Sequence, residues 1–271
     1  DILPSDTMDL YPGMATMIMT WPCRSRTVGS ILRKLYKIYT WLVVAPILGL
    51  STAFFGTSAV ILLFFLKPRL VSALCGKTWA RVISFVTPMR VTVIGRQNVD
   101  PRQSYVIVSN HQSQYDIFVL YGWLNIDFKW VMKQELRKVP AIGISCERLG
   151  HIYVDRSNRE AALASINAAK QRIVDGTSVL FFPEGTRSRD NRMRPFKKGA
   201  FRMALDLQLP ILPITIQGTR DILPSDTMDL YPGRATMIIH PPIPIDDYSH
   251  DTLEDLMART RAVIEAPDLT P

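Results

Sequence analysis

The sequence predicts an α/β fold, a mostly buried sheet flanked by helices, with an N-terminal membrane-embedded helical segment. Three observations predict it. Between Arg90 and Ala266 short apolar runs alternate with helical stretches, as when strands are buried on both faces. From Ile38 to Leu66 the chain carries no charge over 29 residues, where about 20 cross a bilayer core. Two polar clusters each follow directly on an apolar run, the place where α/β proteins keep their sites. The chain therefore divides into a segment 1–19, a basic-flanked membrane-embedded region 20–90 and an α/β domain 91–271.

Residues 1–19 repeat residues 221–239 with differences only at positions 14/234 and 19/239. Two copies with nothing similar between them exclude a solenoid. The second copy continues a strand-like run, Ile211 to Ile216, and leads through a Pro/Gly turn into another. The first copy has no such partners and is expected to be dispensable.

The uncharged run follows. Tyr36, Tyr39 and Trp41 at one end and Trp79 beyond the other resemble an interfacial aromatic belt. Both flanks are basic: Arg24, Arg26, Arg33, Lys34 and Lys37 before it, Lys67, Arg69, Lys77, Arg81 and Arg90 after it, with no acid in 20–37 or 67–90. The positive-inside rule wants such residues on one side, so a re-entrant hairpin broken at Pro46, Gly49 or Gly56 stands beside a single span.

The globular part then yields seven candidate strands: Val91–Ile94, Tyr105–Val108, Phe128–Met132, His151–Val154, Val179–Phe182, Ile211–Ile216 and Ala235–Ile239. Ser157-x-x-Glu160 reads as a capping box for a helix with Leu163, Ile166 and Ile173 on one face, stopped at Gly176. A second helix runs from about Thr252 to Glu265, opened by Asp251-x-x-Glu254.

Net charge narrows the partners. The chain of 271 residues carries +8, from 32 Lys and Arg against 24 Asp and Glu. The ten bases around the apolar run and the three acids of 1–19 leave 22 bases against 21 acids for 91–271. A basic collar with a nearly neutral domain points to anionic lipid rather than nucleic acid. Cys23, Cys75 and Cys146 form no C-x-x-C, and the four histidines show no helical pairing, so neither a metal nor a disulfide framework is expected.

The first polar cluster, Asn110-His111-Gln112-Ser113-Gln114-Tyr115-Asp116, precedes an apolar helical stretch. A histidine on the loop and an aspartate in the first helical turn can pair, giving a general base whose tautomer the carboxylate fixes. Ser113 is a possible nucleophile without the surroundings of an elbow turn. The second cluster, Phe181-Phe182-Pro183-Glu184-Gly185-Thr186-Arg187-Ser188, offers a flexible glycine, two hydroxyls and a guanidinium fork suited to phosphate. Bases accumulate after it, the distal ones reading as a solvated loop. Lys133 and Arg156, each beyond a strand, can reach the same edge.

Together these blocks resemble the glycerolipid acyltransferase family, most closely the bacterial 1-acyl-glycerol-3-phosphate acyltransferases. NHQSQYD is similar to its H-x4-D block, KQELRKVPAIGISCERLGHIYVDR to its second, FPEGTRS to its third and LPILPI to its fourth. The resemblance covers about residues 35–245. It implies His111 as base and Asp116 as its partner. Glu184, Gly185, Thr186 and Arg187 would surround the glycerol phosphate, with Lys133 and Arg156 as further phosphate ligands. It implies transfer from an acyl-CoA or acyl carrier protein thioester, as co-substrate rather than cofactor, to the sn-2 hydroxyl of lysophosphatidic acid, giving phosphatidic acid. It implies membrane lipids as partners and a bacterial inner membrane, catalytic domain on the cytoplasmic side. A transferase acting on another lysolipid, a hydrolase of the same architecture and a non-catalytic binder of acidic lipid are the alternatives.

Overall fold

The computed structural model describes residues 26–155, 157–173, 175–188 and 192–266. The first copy of the duplicated segment and Arg156 lie outside them.

Helix α1 (Arg26–Tyr39) runs through a π-helical turn at Thr40–Val44 into α2 (Ala45–Leu62), so the chain is helical without interruption from Arg26 to Leu62. The expected breaks at Pro46, Gly49 and Gly56 do not occur. The wider π turn just before Pro46 takes up the ring and the missing N–H, a known cause of bending rather than breakage. The reversal comes instead at 63–67, with Pro68 opening α3 (Pro68–Val71), where its fixed φ suits a first turn. After a second π turn at Ser72–Lys77, α4 (Thr78–Val86) returns alongside α2. Trp79 Nε1 donates to Thr52 Oγ1 at 3.0 Å between the two arms.

The remaining elements are β1 (Met89–Ile94), β2 (Val106–Ser109), α5 (Tyr115–Trp123), β3 (Asp127–Lys133), α6 (Ile142–Arg148), β4 (Ile152–Val154), α7 (Arg159–Ala169), β5 (Thr177–Phe181), α8 (Gly199–Leu207), β6 (Ile211–Gln217), α9 (Thr219–Ile222), β7 (Gly233–Ile239) and α10 (Leu253–Glu265). Every expected strand is present, with ends moved by two residues at most. One sheet holds them in the order β1-β7-β6-β2-β5-β3-β4. All neighbours are parallel except β6 and β7. The duplicated sequence at 221–239 thus supplies part of α9 and all of β7, inside the sheet.

Two caps differ from expectation. Helix α7 is capped by Asn158, whose side chain accepts the N–H groups of Glu160 and Ala161, and not by Ser157, which bonds Asp155 instead. Helix α10 starts after Thr252 without a side-chain cap, so Asp251 and Glu254 form no capping box.

The hairpin belongs to the domain's core. Val44, Ala80 and Ile83 are buried with Val119, Leu120 and Ile214 on one face of the sheet, while α7, α8 and α10 cover the other. The long helix is fastened at both ends. Near its start Tyr36 and Tyr39 donate to the carbonyls of Thr87 and Val86, and Lys37 pairs with Asp229 before β7. Near its end Ala59 packs on Leu149, and Arg148 lies 5.0 Å above the Phe64 ring. The 22 steps from Lys37 to Ala59 rise about 33 Å, close to the about 29 Å between β1 and β4 across six strand spacings. The helix therefore lies across the sheet rather than projecting from it. Its outer face exposes Leu42, Leu50, Phe54 and Ile61.

Candidate active site

β2, β5, β3, β4 and β6 are mutually parallel, so their carboxyl ends share one edge. The loop after β2 carries His111. Asn110 anchors it, its side-chain amide bonding both the N–H and the carbonyl of Ile216 on β6. Asp116 is fully buried in the first turn of α5, and its Oδ2 lies 2.8 Å from Nδ1 of His111. The same oxygen accepts the N–H groups of Gln112 (2.7 Å) and Ser113 (3.0 Å), so the loop is wrapped around the carboxylate. Nε2 of His111 has no hydrogen-bond partner among the described residues. Phe182 stacks on the imidazole, ring centres 3.9 Å apart.

The loop after β5 is joined to the first by Glu184. This buried carboxylate accepts the N–H of His111 on Oε1 (2.8 Å) and of Arg194 on Oε2 (2.9 Å), and Ser188 N–H donates to the His111 carbonyl. Burial pushes the Glu184 carboxyl above its ordinary value, against the two N–H groups that favour the anion. Gly185 has φ +74, and a Cβ there would sit 2.8 Å from Nζ of Lys197, so glycine both takes the turn and admits a second cation. Thr186 is exposed and Arg187 half-buried. Among the described residues no carboxylate or carbonyl engages the Arg187 guanidinium.

The expected residues are not all brought together. His111, Asp116, Glu184 and the 185–187 turn form one constellation. Lys133 stands at the carboxyl end of β3, on the same edge, but its ammonium is exposed and paired with Glu135 at 2.8 Å. Ser113 is excluded as a nucleophile: fully buried, its Oγ donates to the carbonyl of Leu223 and accepts the N–H of Tyr115. Among the described residues no group of three or more His, Cys, Asp or Glu could hold a metal ion.

Sequence reasoning missed Thr219. Fully buried at the start of α9, it donates to Oδ1 of Asp116 at 2.5 Å. It is placed by Gly218, where φ is +81 and a Cβ would collide with the carbonyl oxygen of Arg234. The signal was the glycine directly after the apolar run of β6. A cavity of about 490 Å³ opens beside these loops, lined by Asn110, Gln112, Glu184, Ser188 and, from α10, Arg261.

Residues 90–217 match the acyltransferase family profile. A 1-acyl-sn-glycerol-3-phosphate acyltransferase of Chlamydomonas reinhardtii is 33% identical over 246 residues, 90% of this chain and 67% of that one. One of Limnanthes douglasii is 31% identical over 230 residues, 84% and 80% of the two chains. A chloroplastic enzyme of that description from Brassica napus is 35% identical over 185 residues, and the chain spans only 53% of its length. The crystal structure of the 1-acyl-sn-glycerophosphate (LPA) acyltransferase PlsC from Thermotoga maritima superposes with a TM-score of 0.72 at 26% identity, covering 89% of this chain and 95% of that one.

Proposed function

The chain belongs to the 1-acyl-sn-glycerol-3-phosphate acyltransferase family, and we propose that it transfers an acyl group from an acyl thioester to the sn-2 hydroxyl of lysophosphatidic acid, giving phosphatidic acid. The observation that carries the chemistry is the 2.8 Å pair of His111 Nδ1 with Asp116. With Nδ1–H donated to the carboxylate, Nε2 is left as the base. Nε2 takes the proton of the sn-2 hydroxyl as its oxygen attacks the thioester carbonyl. The new C–O bond forms, the tetrahedral intermediate collapses, the C–S bond breaks, and the proton passes from Nε2 to the departing sulfur. No acyl-enzyme is involved. The N–H groups of Gln112 and Ser113 are already given to Asp116, so the oxyanion is stabilised by other donors.

The phosphate of the acceptor goes to the turn 185–187, where Arg187 and the neighbouring Lys197 supply charge and Thr186 a hydroxyl. Lys133 and Arg156 would join from the edge of the same row of strand ends. Glu184, with both oxygens on backbone N–H groups, holds the two loops in register instead of meeting an anion. The donor is acyl-CoA or an acyl carrier protein thioester. The apolar face of the hairpin and the basic residues at both its ends suit one leaflet of an anionic membrane, proposed as the cytoplasmic leaflet of a bacterial inner membrane.

Thioester consumption by the full chain, measured with lysophosphatidic acid and with other lysolipids, tests the reading. Preference for lysophosphatidic acid is expected, with a loss of at least ~100-fold in His111→Ala and undiminished membrane association. Near wild-type turnover in that variant would overturn the mechanism.

A further inference from the structure

Between β3 and β4 the chain forms a 3-10 turn at Gln134–Lys138 and then α6. This segment presses against the end of the long helix. A Cβ added at Gly56 would lie 3.0 Å from both Cβ and O of Ala141. Ala141 itself holds φ +63, a left-handed conformation unusual for a residue with a Cβ. The segment turns apolar side chains outward: Leu136 and Val139 are 38% exposed and Ile144 59%. The hairpin tip exposes Ile61, Phe64 and Phe65, and α6 is tied to it by Arg148 over Phe64.

We propose that Gln134–Arg148 is a third membrane-contacting element, which seats Leu136, Val139 and Ile144 in the interfacial layer of an anionic bilayer. The inference rests on the membrane-bound transferase reading and adds to it a lipid surface at the catalytic edge, since the segment starts directly at the carboxyl end of β3. Two observations favour lipid over an acidic protein partner. The exposed apolar residues stand on a segment packed against the hairpin end, which exposes apolar residues of its own. The local cations are also largely balanced, Lys133 by Glu135 and Arg137 by Glu147, so the contact rests on the apolar side chains rather than on charge read from an acidic protein. Lys138, exposed and outside any ion pair among the described residues, can meet a lipid phosphate at the rim.

The test uses the full chain in two arms. In the first, Ile144→Trp is mixed with phosphatidylcholine/phosphatidylglycerol vesicles containing brominated acyl chains. Quenching beyond that of the native tryptophans is expected, and emission unchanged from the protein in detergent would overturn the proposal. In the second, Leu136→Ser/Val139→Ser/Ile144→Ser is assayed with lysophosphatidic acid held in vesicles and with the same lipid in detergent micelles. Loss of partial apolar burial at three sites should raise the apparent KM on vesicles about tenfold, with micellar turnover unchanged. Equal KM on vesicles, or a rise confined to an acyl carrier protein donor, would overturn it. If the triple variant does not fold, the quenching arm still decides. Absence of transfer by the unsubstituted chain in either format would overturn the function and not this surface.

Discussion

Asp116 receives four hydrogen bonds, two from backbone N–H groups, one from Nδ1–H of His111 and one from Thr219. A carboxylate so completely occupied is held in orientation, and Thr219 controls the oxygen that His111 does not touch. Thr219→Val keeps the shape and deletes the donor, at the cost of one hydrogen bond to a charged group. The expected result is a fall in kcat of roughly 10- to 100-fold at little change in KM, with Thr219→Ser restoring most of it; an unaltered rate in the valine variant would show the contact to be idle. A second residue carries a pH signature. His151 is buried, accepts Trp130 N–H on Nδ1 at 3.2 Å, and is held down to about 3 by burial and then by the nearby Lys129. Its folded value lies below its unfolded one, so the unfolded chain binds the extra proton between pH 6.5 and about 3. The stability His151 contributes is complete above pH 6.5 and is lost as pH falls through that window, with a slope of up to about 1.4 kcal/mol per pH unit. His151→Gln should flatten the acid limb of a stability-versus-pH curve, which denaturant titrations at several pH values would measure.

At the scale of elements, the return arm of the hairpin meets α5 through Gly76. A Cβ there would run into the ring of Tyr121, whose hydroxyl bonds Ser72 at 3.0 Å. Gly76→Ala is expected to lower the melting temperature through about 1–3 kcal/mol of overpacking, and Tyr121→Leu in the same chain to recover part of it. Additive losses in the double variant would mean the two do not share the contact. The central strands were legible from sequence because burial on both faces writes them as apolar runs, as Val106–Val108 and Ile211–Ile216 show. The base and the carboxylate that joins the two loops were legible for a related reason, since His111 and Glu184 each follow such a run. What supports them was not: Thr219 and Lys197 reach the site from chain 103 residues beyond Asp116 and 12 beyond Gly185, a proximity that only the turns at Gly218 and Gly185 create. Caps were misread by one residue because Ser157 and Asn158 are adjacent and both competent, and the choice rests on Asp155 taking the serine.

For the whole molecule, the apolar region and the catalytic domain form one body. Val44, Ala80 and Ile83 fill the same core as Leu120 and Ile214, so the hairpin is part of the fold that holds His111. Composition could not reveal this, since an apolar run reads alike whether it meets lipid, protein or both. In the long helix one face packs on α4 and α6 and the other is exposed.

In the placement proposed above, the helix fastened at both ends to one domain sits in a single monolayer. In the proposed reaction every turnover there replaces a one-chain lipid by a two-chain lipid with a small head, while the facing monolayer gains nothing. The catalyst thereby generates an area difference between leaflets, and membrane growth proceeds no faster than lipids cross the bilayer to relieve it. Giant vesicles supplied with enzyme and both substrates only on the outside should bulge outward in proportion to product formed, as seen by light microscopy, and relax when a lipid-translocating protein is included; a shape indifferent to turnover would mean that the product is shared between the leaflets as fast as it is made.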